Sequence, residues 1–459
     1  MKHDFPKRFW WGAATSGPQS EGQFNKKHKN IFDYWYEISP NTFFNNVGPS
    51  VTSNFYNTYK EDIKMLSNIG LNSYRPSIQW TRLIKDFETG EPDEDGVRFY
   101  NNIIDECIKN NIEVIMNLHH FDLPIELYEK FGGWESKHVV DLFSKFAKTA
   151  FKLFGDRVKY WTTFNEPTVI VNGQYLHQYH YPCLIDGKKF MQASYNIALA
   201  SAKAIREYRN LSCDGEIGII LNVAPSYPRS YYNEEDVKAA HKADLFDRVF
   251  LDSGVLGIFK EELTDILKND GVIWESTEEE LDIIKNYTVD FLGLNYYAPR
   301  RVKKKESEFK SDTWMPEKYY DYCKVAGKRI NKDRGWEIYP KGLYDMAKLI
   351  QEEYKNIKWY VSENGMGVSN EDKYKNPEGI IEDDYRIAFI REHLEWLHKA
   401  ILEGSNCVGY HMWTGIDCWS WCNAYKNRYG YISLNLETME KKPKKSAHWI
   451  KIVAENNGF

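Results

Sequence analysis

Cysteine is scarce in this chain, with seven residues scattered singly over 459 positions. A disulfide-stapled secreted scaffold would carry an even set at regular spacing, so reduced thiols and a cytoplasmic setting are expected. Cys418 and Cys422 stand close together. No further Cys or His pair completes a zinc site beside them, so no metal is expected. An excess of basic charge is also missing: 60 Lys and Arg against 66 Asp and Glu leave a net charge of -6. A nucleic acid partner calls for a basic face and is therefore excluded. The one locally basic run, 300–305, follows an apolar stretch. It reads as a solvated loop, the alternative being the rim of a site. No stretch approaches the roughly 18 apolar residues of a membrane span. The N-terminal MKHDFPKRFWWGAATS lacks a long apolar segment after its charges and is not read as a secretory signal. Internal repeats, low-complexity linkers and a G-x-G-x-x-G after the first strand are absent as well. The last of these argues against a doubly wound nucleotide-binding sheet.

What is present is an alternation. Eight apolar, β-rich runs end in polar or aromatic residues: 8–16, 72–79, 113–120, 160–167, 216–225, 290–299, 359–365 and 406–417. Between them, 99–109, 139–154, 193–208 and 384–402 place apolar residues three or four apart, as helices do. Strands alternating with helices pair in parallel. Eight of them in a chain of this length predict an α/β fold, a single (β/α)8 barrel domain spanning 1–459 with elaborated βα loops. Aromatics make up 15% of the chain. A large core accounts for that, and stacking on a sugar is the second account, so only rings placed by a motif count as site candidates.

The active face of such a barrel lies at the C-terminal ends of its strands. Here those ends and the loops behind them carry Gln19, Arg75, His120, Asn165, Glu166, Asn295, Tyr297, Glu363 and Trp413. A lone Glu or Arg at such a place is ordinarily solvated or salt-bridged. The convergence of a whole set on one mouth is what argues for chemistry. Glycosidic cleavage needs one carboxyl to protonate the leaving oxygen and a second to attack or to activate water. Glu166 and Glu363 are candidates for acid and nucleophile. The acid needs a raised proton affinity and the nucleophile a lowered one. Arg75 by charge and Tyr297 by hydrogen bond could hold Glu363 ionised, and Asn165 could donate to a sugar 2-hydroxyl.

At these residues the chain resembles glycoside hydrolase family 1, from FWWGAATSGPQSEG through to NRYGYISLN. TFNEP and VSENG match that family's acid/base and nucleophile motifs, at Glu166 and Glu363. The resemblance implies a glycone pocket of Gln19, His120, Asn165, Asn295 and Trp413. It also implies a tyrosine on the nucleophile, Tyr297, and an aglycone-side aromatic, Trp336 in RGWEIYP. Two departures stand out. Plain β-glucosidases of the family carry Glu-Trp after the last strand, whereas this chain has Ser420-Trp421. A carboxylate there would repel a sugar 6-phosphate, which carries about -1.5 to -2 charge, whereas a serine can donate to it. The 6-phospho-β-glucosidase and 6-phospho-β-galactosidase branch has that serine, followed by K-R-Y-G. Here Tyr429 matches, but Asn427 occupies the lysine position and Lys426 stands beside it. Either Lys426 turns inward to supply the charge or Asn427 donates in its place, while Arg428 faces outward or braces the loop.

The expected activity is retaining hydrolysis of 6-phospho-β-glucosides, with the galactosides open because tryptophan at 421 is typical of phosphogalactosidases. The alternative is a β-glucosidase acting on free sugars. A silent sugar-binding barrel would ordinarily lack one of the two carboxylates, and a transglycosidase would need a site favouring sugar acceptors over water. The expected partner is a small molecule, a phosphorylated β-disaccharide or an aryl β-glucoside. No cofactor and no membrane partner are expected, and a homo-oligomer is left open.

Overall fold

Each of the eight runs holds one parallel strand of a closed barrel: β1 (Trp10–Ala14), β2 (Ser73–Arg75), β3 (Glu113–His119), β4 (Tyr160–Asn165), β5 (Glu216–Asn222), β6 (Phe291–Tyr296), β7 (Trp359–Asn364) and β8 (Cys407–Trp413). This is a computed structural model, and it describes residues 2–459. Every strand pairs with its neighbours in sequence, and β1 against β8 closes the ring, from Trp10 opposite Gly409 to Ala14 opposite Trp413. The main helices follow in turn: α1 (Phe55–Asn68), α2 (Glu94–Lys109), α3 (Lys137–Phe154), α4 (Gly187–Asn210), α5 (Glu234–Asp247), α6 (Glu278–Asn286), α7 (Lys341–Glu353), α8 (Asp384–Leu402) and α9 (Lys445–Asn456).

Helix α3 shows how the sequence makes these elements. Val139, Leu142, Phe143, Phe146, Ala150 and Phe154 recur every three or four residues and are all buried. The Ser136 side chain accepts from the His138 amide at 3.2 Å and caps the start. Helix α2 starts earlier than its apolar periodicity suggests. The Asp93 carboxylate accepts from the amides of Asp95 (2.9 Å) and Gly96 (3.2 Å), so the first, polar turn is helical too.

The two ends of the barrel are lined differently. At the strand beginnings, Trp10, Tyr160 and Phe291 pack with ring centroids 4.7 and 6.0 Å apart, and the Lys358 ammonium lies 5.0 Å from the Tyr160 ring. Those rings pack the floor, while the site candidates Gln19, His120, Glu166, Tyr297 and Glu363 gather at the C-terminal mouth, the active face of such a barrel. Two strands carry a register irregularity at that mouth: β4 between Thr162 and Asn165, and β7 between Val361 and Glu363. Such irregularities re-aim the next side chains, and here those are the two candidate carboxylates. The chain ends meet beneath. The His3 amide donates to the Phe459 carbonyl at 2.9 Å, and Trp11 Nε1 donates to Asn457 Oδ1 at 3.0 Å.

The basic run at 300–305 is not the solvated loop its charges suggest. Arg300–Lys304 is a strand between Ser226–Pro228 and Tyr320–Tyr322. Arg300 pairs with Asp247 at 2.7 Å, and Arg301 forks onto Glu337 at 2.7 and 2.9 Å. Carboxylates from other elements neutralise the run and let it be half-buried. Nearby, Ile330–Asn331 and Trp336–Glu337 form a small hairpin whose tip projects Arg334 toward the mouth. No helix among the described residues is long and apolar enough to cross a membrane.

Candidate active site

Glu166 follows β4 in a left-handed conformation (φ 49°, ψ 57°), and Pro167 then begins the helix Pro167–Tyr175. A positive φ costs a glutamate energy and is held only where the surroundings dictate it. Glu363 lies in β7 opposite Asn295 of β6. The Asn295 Nδ2 donates to Glu166 Oε1 at 2.9 Å and to Asn165 Oδ1 at 3.1 Å, and the same side chain reaches Glu363. Carboxyls that share one amide have their nearest oxygens within about two hydrogen-bond lengths. That fits the close pair of a retaining glycosidase better than the roughly 6.5–9.5 Å gap of an inverting one.

The two carboxylates meet different surroundings. Arg75 Nη2 forms a buried ion pair with Glu363 Oε1, and the Tyr297 hydroxyl donates to Oε2 at 2.5 Å. Glu166 has no such cation beside it, only the Asn295 amide. Burial raises the proton affinity of both. It carries Glu166 up to about 8, and the neighbouring Glu363 charge pushes in the same direction. Burial raises Glu363 as well, but the Arg75 charge and the Tyr297 hydrogen bond oppose it. The pair therefore keeps its last proton on Glu166, the asymmetry that an acid and a nucleophile require.

Arg75 organises the next layer. Its Nη1 donates to the Thr15 carbonyl and to His120 Nδ1, each at 3.1 Å. Burial, reinforced by the Arg75 charge, holds His120 well below the usual imidazole range, so the ring is neutral. On the other side of the ring, His120 Nε2 lies 3.3 Å from Asn165 Nδ2.

These groups surround a cavity of about 630 Å³. Of the residues selected from sequence, Gln19, His120, Glu166, Tyr297, Trp336, Glu363, Trp413, Ser420, Trp421 and Tyr429 line it. Arg75, Asn165 and Asn295 are buried behind the wall and hold it from below. Gln19 Oε1 accepts from Ser16 Oγ and its Nε2 donates to the Trp419 carbonyl, both at 2.8 Å. Glu21 of the same segment does not reach the cavity. It is buried with Arg82 (2.8 Å) and Gln79 (2.7 Å) and anchors the turn that presents Gln19. The Trp413 ring lies nearly parallel to His120, 5.8 Å away. Trp336 packs on Tyr297 at 5.4 Å, and Trp421 on Phe32 at 4.2 Å.

The expectation for Lys426 does not hold. Its side chain is exposed, 5.7 Å from the Phe44 ring, and borders a separate depression with Glu371 and Asp372. Asn427–Arg428 is a short strand paired with Val368–Ser369. Side chains alternate along a strand, so Asn427 and Tyr429 turn in while Lys426 turns out. Asn427 is 2% exposed and Tyr429 5%. The sequence reading missed Arg334, which lines the cavity and whose Nη1 reaches Asn427 Oδ1 at 3.5 Å. It stands two residues before Trp336, inside the very motif RGWEIYP. The loop bearing Ser420 and Tyr429 rests on a buried ionic frame. Asp417 Oδ1 accepts from the Gly430 amide (2.7 Å) and from Lys444 (3.1 Å). Arg386 binds Glu371, Asp383 and the Arg428 carbonyl at 2.6, 2.9 and 3.0 Å.

Comparison with known proteins bears on the family and the fold. The family model described as glycosyl hydrolase family 1 matches residues 1–459. The 6-phospho-beta-glucosidase GmuD of Bacillus subtilis is 52% identical, over 100% of this chain and 99% of that protein. A 6-phospho-beta-galactosidase of Clostridium acetobutylicum is 36% identical, over 98% and 97% of the two chains. Among solved structures, a family 1 β-glucosidase from Thermotoga maritima superposes with a TM-score of 0.91 at 30% identity, covering 100% of this chain and 99% of that one. The barrel, the carboxylate pair at its mouth and the match along the whole chain lead to one conclusion: this protein belongs to glycosyl hydrolase family 1.

Proposed function

We propose that the protein hydrolyses 6-phospho-β-glucosides with retention of configuration, Glu166 serving as acid and then base and Glu363 as nucleophile. The observation that carries the chemistry is the unequal pair gathered around Asn295. Glu166 gives its proton to the glycosidic oxygen while Glu363 attacks the anomeric carbon, and the aglycone leaves as an alcohol. The resulting ester removes the Glu363 charge, so one cause of the raised Glu166 affinity disappears and Glu166 becomes the better base. It then takes a proton from water, which attacks the same carbon and restores Glu363. His120 and Gln19 are placed to bind sugar hydroxyls, Trp413 to form a floor for the ring, and Trp336 to meet the aglycone.

The phosphate preference rests on Ser420 and Tyr429 in the wall, where Glu166 and Glu363 are the only carboxylates among the described lining residues. It is supported by the similarity to GmuD, a protein named for that substrate class. Trp421 in the wall, the residue type of the phosphogalactosidases at this position, supports 6-phospho-β-galactosides as a second substrate. Rates on nitrophenyl β-glucoside and on its 6-phosphate test the proposal. The phosphorylated substrate is expected to be favoured by at least roughly 100-fold in kcat/KM, the scale of one or two charge-assisted contacts. Equal rates, or a preference for the free sugar, would instead make the protein a plain β-glucosidase.

A further inference from the structure

We propose that Arg334 is the cation that receives the 6-phosphate, in place of a lysine at position 427. This inference rests on the phosphoglycosidase reading and adds the residue that reading lacks. A dianionic ester beside two carboxylates needs positive charge within reach. Lys426 points elsewhere, and among the described residues lining the cavity Arg334 is the sole lysine or arginine. Among the described residues no carboxylate lies within ion-pair distance of it; its charge is uncompensated, unlike Arg300 or Arg301.

Its position is built. The guanidinium lies 4.3 Å from the Trp336 ring, which supports its plane. Its Nη1 points to Asn427 Oδ1, and the group also contacts the Tyr429 hydroxyl. Two nearby donors are buried without an acceptor, Arg334 Nε and Asn427 Nδ2. Buried donors are ordinarily paired, so this corner presents unmet donors beside a positive charge, which is what a phosphate would satisfy. The hairpin that carries Arg334 is tied down. The Gly335 amide donates to the Asn331 carbonyl at 2.7 Å, and Asn331 Nδ2 donates to the Gly367 carbonyl at 3.0 Å. An asparagine at 427 then makes sense, because it accepts from the arginine where a lysine would repel it. Arginine adds what a lysine lacks, a planar fork matching two phosphate oxygens at once.

Arg334→Met and Arg334→Lys test this, each assayed on nitrophenyl β-glucoside and on its 6-phosphate. In Arg334→Met the ratio of kcat/KM, phosphorylated over free, is expected to fall by about 30-fold or more. Arg334→Lys is expected to recover part of it. Inorganic phosphate, used as a competitive inhibitor of the wild-type enzyme, should lose potency in Arg334→Met. If both substrates suffer equally and the ratio holds, Arg334 only props the Asn427–Tyr429 loop and the proposal is wrong. An unaltered ratio with unaltered rates overturns it too. A wild-type enzyme with no preference for the phosphorylated sugar would instead defeat the underlying substrate reading.

Discussion

Glu166 and Glu363 are the same residue type in one cavity, and their neighbours divide the labour. One is set against Arg75 and Tyr297, the other against the first one's charge. A proton donor works only while it holds its proton, so kcat/KM should decline as pH rises through about 8, where Glu166 deprotonates. Glu166→Gln should abolish that alkaline limb and slow alkyl glycosides by roughly 10²–10⁴-fold. An unchanged limb in the variant would assign it to another group. The same raised affinity has a stability consequence. Folded protein keeps a proton that an unfolded chain releases above its ordinary carboxyl range, so this site's contribution is full at low pH and is lost as pH rises through about 8. Glutamine removes the dependence, and the variant's thermal midpoint should gain most on the wild type at alkaline pH. Both carboxylates could be read from sequence because they close apolar runs in specific motifs. Lys426 could not be placed: one residue's shift along a strand exchanges its two faces, and nothing local shows which face turns inward. Arg334 was hidden because it sits on a hairpin tip without periodicity and acquires meaning only beside Trp336, Asn427 and Tyr429.

At the scale of elements, the eight barrel strands were legible because each is an apolar run ending in polar or aromatic residues, with clear helical patterns at 99–109, 139–154, 193–208 and 384–402 between them. The small strands were not. Those of Ile330–Asn331 and Trp336–Glu337 are two residues each, too short for an alternation to show, and exist only through pairing with each other across a tight turn. The strand Arg300–Lys304 was disguised by charges that Asp247 and Glu337 neutralise. The loop after β8 is held in the same way, through Arg386, Lys444 and their buried acids. Removing one member of such a frame leaves the others buried and unpaired, at a cost of about 3–5 kcal/mol. Arg386→Met should therefore lower the melting temperature clearly, and it should weaken activity more than melting alone explains, because Ser420 and Tyr429 ride on that loop. A melting temperature equal to wild type would show that the frame is dispensable.

At the scale of the whole molecule, the site is an assembly of strand ends that are remote in sequence. Only closure of the barrel sets the distance between β4 and β7, and the seam of that closure is the pairing of β1 with β8. The two ends of the described chain come together below this seam, with His3 bonded to Phe459. Covalent continuity is thus not needed at any one connection. A circular permutant, its old termini joined by a short glycine-serine link and new ones opened in the exposed turn at 212–214 before β5, should still close the same ring. It should hydrolyse the same substrates with the same pH profile, though folding more slowly. A permutant that folds but is inactive would mean that the order in which strands are laid down, and not the finished cylinder alone, sets the two glutamates in register.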